Sequence, residues 1–482
     1  MGVYDINKNI LSTVYDVNGN SLDFAYDKDG NKIFSVNKEP IIRGTVYNFS
    51  DMSMTDESGI TTTSEEHLEN ASSGIKLTTP EALTEYTVTF DGLNIETNGE
   101  AFNLWFYISR ADKGVTGGWG EYSTFTTVYV SLNGGTKKSL SISSSAYSIM
   151  LIAGKTCYHW LKSETPATIT SISIGIKSNK AGGSIILDSV EIGRKFAIPH
   201  FLFNFDSSGK NFYNVGYPLF KSYGMPATFD YWGCSTDGGN SGTWDNETDA
   251  QKHFEMIADG FDYGIYSKYV ASNNSSGTSP AYDDTSEESM SLWREQATLM
   301  FNSNNSLGIY YPSTVHSTGH KSGEAYAKAM AEKDFMIVRA DSAYSTGNIA
   351  RQFITNIDHD SYKEVVPYYV VNTWEADDSG VTATKKIIDL AISENMAVMW
   401  MSHTILAADA DHTDNTIDIG YNAMVEILEY LKEKRDAGLI QVDSTATFMQ
   451  EVYPDIYNDW ISKRTALEDA FNFSAECELT EL

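Results

Sequence analysis

The stretch His200-Phe-Leu-Phe-Asn-Phe-Asp206-Ser-Ser-Gly209 restricts the possible folds of this chain more than any other. An apolar run ends on a carboxylate and a turn of small residues. Asn211 to Tyr223 then has helical spacing, Gly224 stops it, and Pro226 to Tyr231 is a second apolar run. Strand, helix and strand in that order predict a parallel βαβ unit. In such units the residue just past a strand's C-terminal end faces the site, which makes Asp206 a candidate catalytic residue; capping the next helix is the other role open to it.

The same alternation continues downstream. Helices are expected over Asp245 to Asp259, Ser286 to Phe301, Gly323 to Lys333, Thr382 to Glu394 and Ile417 to Lys434. Strands are expected over Tyr263 to Tyr266, Leu307 to Tyr311, Phe335 to Arg339, Val365 to Val371, Ala397 to Met401 and Leu439 to Val442. Roughly seven or eight strands at about thirty-residue spacing predict a β/α barrel over 196–482, with a helical tail.

Asn204-Phe205-Asp206-Ser207-Ser208-Gly209 and Tyr223-Gly224-Met225-Pro226-Ala227-Thr228-Phe229 together resemble the opening motif of the polysaccharide deacetylases, the chitin and peptidoglycan deacetylase superfamily of carbohydrate esterases. The resemblance covers about 196–455. It implies a barrel whose metal, held by one Asp and two His, activates water against an acetamide, with an Asp as base and a His as acid. Asp206 falls on the base position, and Met401-Ser402-His403 puts His403 on the acid position; a hydrogen-bonded structural histidine is the other reading of His403.

The metal positions depart from the pattern. Ser207 stands where the family has its metal Asp, and Gly260 to Tyr269, where the two metal histidines belong, contains no His. Tyr311-Pro312 matches the family's strand-ending Tyr-Pro, so His316 and His320 are expected on a loop at the same face. They are candidates for a non-standard divalent metal site, zinc for instance, with Asp206 or Asp341; the alternative is a protein with no cofactor. Tyr266, Tyr311, Trp374 and Glu375 are candidate sugar contacts, the last two after the Val365 strand, where packing under the rim is the competing role.

Upstream, residues 40–195 are strand-rich and punctuated by Gly, Asn and Ser, which predicts a two-sheet sandwich. Its closing Ile185-Ile186-Leu187-Asp188-Ser189-Val190-Glu191-Ile192 resembles the last strand of jelly-roll carbohydrate-binding modules. Trp105, Trp119, Tyr122 and Trp160 are candidates for stacking on sugar rings or for the core. Residues 1–39 repeat a Tyr-Asp motif at Tyr4, Tyr15 and Tyr26, with Asn18-Gly19 and Asp29-Gly30 as hairpin turns. Hairpins this short need a partner surface, so the segment reads as an attachment or oligomerisation tip. Asp27-Lys28-Asp29-Gly30-Asn31 is either a calcium loop lacking its distal acid or plain turn chemistry.

A net charge of −31 opposes binding to nucleic acid phosphates. No apolar run reaches membrane-spanning length, and the polar start has no signal-peptide pattern. The three cysteines, Cys157, Cys234 and Cys477, are scattered and suggest neither disulfides nor a Cys-rich metal site. The sequence thus predicts a bacterial surface glycan as partner and no membrane insertion. It further predicts a virion or extracellular location reached without a signal peptide, in the style of a phage tail or receptor-binding protein. Glycan recognition, an active carbohydrate esterase and a structural particle scaffold are the three functions it leaves.

Overall fold

The computed structural model describes residues 14–15, 21–22, 24–26, 32–35, 40–56, 68, 70–108, 114–115, 122–123, 125–139, 154–205, 212–232, 247–267, 284–302, 309, 312–317, 324–333, 335–339, 342–344, 364–365, 368–370, 378–402, 404–407 and 419–466. Near the N-terminus Val14–Tyr15 pairs with Ser21–Leu22, and Phe24–Tyr26 with Lys32–Ser35, as the spacing of turn residues predicts. The expected turn at Asp27 to Asn31 lies outside the described residues.

Two antiparallel sheets of five strands follow. One runs Gly154–Trp160, Phe102–Ile108, Ser184–Ile192, Thr45–Asn48, with Ile75–Thr78 also on Ser184–Ile192. The other runs Lys138–Ser139, Phe125–Leu132, Thr168–Ser178, Glu85–Glu96, Met54–Asp56. Alternation decides what each strand buries. Phe102, Leu104, Phe106 and Ile108 point between the sheets and pack with Val88, Phe90, Ile172 and Ile174 in one core. The intervening Asn103 and Trp105 point out of the sandwich and are buried all the same.

They are buried because this face packs on the next unit. Trp105 and Cys157 share a core with Phe196, Leu202 and Met399. Trp105 Nε1 donates to Glu191 Oε2 at 2.8 Å, Arg194 Nη1 lies 3.2 Å from the same oxygen, and Gly44 N donates to Glu191 Oε1 at 2.7 Å. His159 bridges Asn103 Oδ1 at 2.8 Å and Glu394 Oε2 at 3.4 Å, where Lys162 N also donates at 3.1 Å. Trp105 and Trp160, read as candidate sugar platforms, are both buried, Trp160 against Phe102 in the sandwich core. Trp119 lies outside the described residues. The chain segments entering and leaving the sandwich pair with each other, Ile41–Ile42 with Lys195–Phe196.

The remaining unit alternates strands and helices: β1 His200–Phe205, α1 Tyr217–Ser222, β2 Thr228–Trp232, α2 Glu247–Ala258, β3 Asp262–Ser267, α3 Glu287–Asn302, β4 Thr314–Ser317, α4 Glu324–Glu332, β5 Ile337–Arg339, β6 Ser342–Tyr344, β7 Glu364–Val365, β8 Tyr368–Val370, α5 Asp378–Glu394, β9 Ala397–Ser402, α6 Tyr421–Asp436, β10 Gln441–Asp443 and α7 Thr445–Val452. All its strand pairings are parallel. β5 lies beside β7, and β6 beside β8 in the same register, with β8 beside β9 and β9 beside β1. β10 takes β1's edge over His200 to Leu202, and β2 takes over at Asn204. Among the described residues no helix is long and apolar enough to cross a membrane.

One expected strand differs in place: Leu307 to Tyr311 was predicted, of which only Ile309 is described, and β4 begins at Thr314. Pro312 has no N–H to give a ladder, and Ser313 N donates to Tyr263 O at 2.9 Å. Of the expected strand Val365 to Val371, Val365 lies in β7 and Tyr368 to Val370 in β8, and the rest lies outside the described residues.

Phe201, Phe203 and Phe205 hold β1 against the helices. Phe203 meets Phe220 edge-on at 4.8 Å and Trp400 at 5.3 Å, while Phe205 meets Phe212 at 5.0 Å. The helix expected from Asn211 starts as a π-turn, Phe212–Gly216, in which Gly216 leaves room for the Phe212 ring: a Cβ there would lie 2.5 Å from it. At the N-terminal end of the strands α7 is a plug. Its first N–H groups, Thr445 N and Ala446 N, donate to Thr228 Oγ1 at 2.9 Å and Asp262 Oδ2 at 3.0 Å, and Thr447 N to Ser444 Oγ at 3.3 Å. The plugged end leaves the C-terminal strand ends as the face for a site.

Candidate functional site

The register sets a buried polar layer within the strands, with Asp230 in the middle of β2 and Thr314 at the start of β4. Asn204 of β1 lies opposite Thr228, Asp230 of β2 opposite Gly264 of β3, and Gly264 opposite Thr314 of β4. Asn204, Asp230 and Thr314 are all fully buried. Asn204 Nδ2 donates to Asp230 Oδ2 at 3.1 Å, and Thr314 Oγ1 to Asp230 Oδ1 at 3.4 Å. The second bond passes over β3, which separates β2 from β4. Gly264 permits it: a Cβ there would lie 1.9 Å from Thr314 Oγ1 and 2.2 Å from Asp230 Oδ1. Asn204 Oδ1 is buried and accepts no hydrogen bond.

Asp230 escaped the sequence reading because Ala-Thr-Phe-Asp-Tyr-Trp scans as an apolar strand with one polar interruption. The signal was present: a carboxylate inside a strand buried on both faces needs a purpose.

Asp206 and His403 lie outside the described residues, as do Tyr311, His320, Asp341, Trp374 and Glu375. Asp206 directly follows Phe205 and His403 directly follows Ser402, and those two residues are opposite each other in the β1–β9 ladder. Tyr266 and His316 are opposite each other in the β3–β4 ladder. His316 therefore belongs to a strand, and the expected loop carrying both histidines does not begin before 318. The cause is again Pro312, which delays the start of β4.

The metal of the deacetylase pattern does not fit this chain. β3 reads Asp-Tyr-Gly-Ile-Tyr-Ser, without an imidazole, and Ser207 offers only a hydroxyl. Among the described residues no three His, Cys, Asp or Glu side chains cluster as a metal site.

Asp262, at the start of β3, has a perturbed carboxyl: burial pushes it up to about 6, against hydrogen bonds from Ser313 Oγ at 2.5 Å and from backbone N–H groups, and against the charge of Arg464. Such shifts often mark catalysis. Here the group holds the first turn of α7 at the plugged end, so its role is structural.

No protein-family model matches the sequence, and no curated protein matches it. Among solved structures, a family 4 acetyl xylan esterase from Clostridium thermocellum is 12% identical, over 52% of this chain and 90% of that one, with a TM-score of 0.31. A peptidoglycan deacetylase from Bacillus subtilis is 12% identical over 57% and 98%, with a TM-score of 0.27. A low-affinity xylan binding module from Roseburia intestinalis is 16% identical over 31% and 95%, with a TM-score of 0.18.

Proposed function

We propose that this protein recognises a bacterial surface polysaccharide at the strand-end face of a polysaccharide-deacetylase-like β/α barrel that lacks the family's metal triad. The observation that carries the reading is the folding of both motif halves. The end of β1, Asn204-Phe205, lies beside the start of β2, Thr228-Phe229, with α1 between them in sequence, and Asn204 Nδ2 donates to the buried Asp230. Aromatic side chains such as Tyr266, Tyr311 and Trp374 suit a neutral polyhydroxyl ligand. The jelly-roll-like sandwich adds a second β surface, and the N-terminal hairpins fit an attachment or oligomerisation tip in a phage tail or similar particle released outside the cell.

The test is a panel of bacterial surface polysaccharides with the full-length protein, read by binding and by release of acetate. Binding without acetate release, retained in Asp206→Ala and His403→Ala, is the expected result. A protein that binds none of the panel refutes the reading.

The β1–β9 ladder favours one second reading, a working carbohydrate esterase, because Phe205 and Ser402, which precede Asp206 and His403 in sequence, are opposite each other. Asp206 would then take a proton from the attacking water and His403 return one to the departing amine or alcohol. Acetate release lost in each single variant, with binding unchanged, identifies that case.

A further inference from the structure

We propose that His159 is held as an imidazolium in the seam between the sandwich and the β/α unit, and that loss of its proton is a switch that loosens the seam as the medium turns alkaline. The device is independent of the strand-end face and of any glycan bound there.

Hydrogen-bond chemistry carries it. His159 is fully buried, and both its ring nitrogens meet acceptors: Nδ1 lies 2.8 Å from Asn103 Oδ1 and Nε2 3.4 Å from Glu394 Oε2. The direction of the Asn103 amide is set, because its Nδ2 donates to Glu191 O at 3.0 Å and the reversed amide would turn an oxygen toward that carbonyl. A neutral imidazole carries one proton. With that proton on Nδ1, the Nε2 lone pair faces a carboxylate; with it on Nε2, the Nδ1 lone pair faces the amide oxygen at hydrogen-bond distance. Only the imidazolium donates to both. The carboxylate is ionised: burial pushes Glu394 up, but the His159 ring and the backbone N–H of Lys162, donating at 3.1 Å, hold it below its ordinary 4.5.

Burial opposes the charge on the ring as well, so each member of the pair keeps its charge through the other. The other charges around it are matched elsewhere. Lys162 Nζ donates to Ser393 O at 2.8 Å, and beyond Asn103 in the same sheet Glu191 is paired with Arg194 at 3.2 Å. Cys157, on the strand of His159 itself, is a buried thiol with Sγ 3.9 Å from the same Asn103 oxygen. Asn103 and His159 are opposite each other in the sandwich, whereas Glu394 ends α5 just before β9. The pair thus ties one unit to the other. A ring that needs its proton for both bonds supports the seam at neutral pH and below, and stops doing so as rising pH removes that proton. At the acid end the support is lost as Glu394 is protonated, so the seam is complete only between the two.

The experiment takes the full-length protein labelled with nitrogen-15 and reads the protonation of each histidine ring nitrogen by NMR, with His159 assigned by its absence from His159→Gln. At pH 7.5, where a free histidine with its ordinary value of about 6.5 is mostly neutral, both nitrogens of His159 should carry protons. Glu394→Gln should lower the pH at which the ring deprotonates by about one unit or more. Calorimetric unfolding of the wild type should change from one transition at pH 7 to separate sandwich and β/α transitions at pH 9.5, whereas His159→Gln, which does not titrate, should unfold alike at both. Should either variant misfold, His159 is assigned through its backbone and the wild type decides alone. A bare ring nitrogen on His159 at pH 7.5, wild-type unfolding that is the same at pH 7 and pH 9.5, or an equal change in His159→Gln overturns the proposal.

Discussion

Replacing Asp262 by Asn should remove a defined part of the pH dependence of stability. Asp262 is almost fully buried, and folding raises its carboxyl from the ordinary 3.8 to about 6. A raised acid is favoured protonated in the folded state. The stability it contributes is therefore fully present below about pH 3.8 and is lost as the pH rises through about 6. A two-unit shift is worth about 3 kcal/mol at 1.36 kcal/mol per unit. Asn keeps the shape and an oxygen for Ala446 N, but does not titrate. Urea unfolding of the two proteins between pH 4 and pH 7.5 isolates the effect, because all other titrations cancel in their difference. The variant should gain about 2.4 kcal/mol on wild type between those limits, with the midpoint near pH 5. A flat difference would mean that the carboxylate is not desolvated. A difference of opposite sign would mean that Arg464 stabilises the charge, so that the argument from burial fails.

Gly264→Ala should cost about 1–3 kcal/mol or more by overpacking, since its methyl collides with Thr314 Oγ1 and Asp230 Oδ1. Thermal melts should show the loss partly rescued in Gly264→Ala/Thr314→Ala, and additive penalties would refute the contact. Trp105→Ala should cost about 3–5 kcal/mol in chemical denaturation, against a near-neutral result if the ring faced solvent. Glu394 is depressed below its ordinary value: burial alone would raise it, but the His159 ring and Lys162 N outweigh that. Its contribution is present above about pH 4.5 and is lost on acidification through the lower folded value. Glu394→Ala should cost about 3–5 kcal/mol at pH 7 and split calorimetric unfolding into separate sandwich and β/α transitions; a single unshifted transition would refute the seam.

Periodicity was enough for most of the helices and for β1, expected in the apolar run from His200 and observed over His200–Phe205, because a run buried on both faces between turn residues has few other folds. It failed where backbone chemistry overrides side-chain pattern. Pro312 withholds a ladder donor and β4 begins beyond it, which puts His316 in a strand where a loop was expected. Asp230 was missed for another reason. Its partners are Asn204, 26 positions away, and Thr314, 84 away, and no local pattern announces a bond that passes over an intervening glycine. Trp105 and Trp160 were open between core and surface because alternation shows which face a side chain takes, not what covers that face.

The pairing of Ile41–Ile42 with Lys195–Phe196 has a mechanical consequence. The two segments are the stem of a loop whose body is the whole sandwich, and Ala197 N donating to Pro40 O at 2.9 Å closes its mouth. Tension applied between the N-terminal hairpins and the β/α unit therefore loads the stem and bypasses the sandwich. Pulled from its open end, an antiparallel stem gives way bond by bond, Ala197–Pro40 first. Only after it has parted, and the Trp105 and Glu394 seam with it, would the sandwich strands begin to bear load.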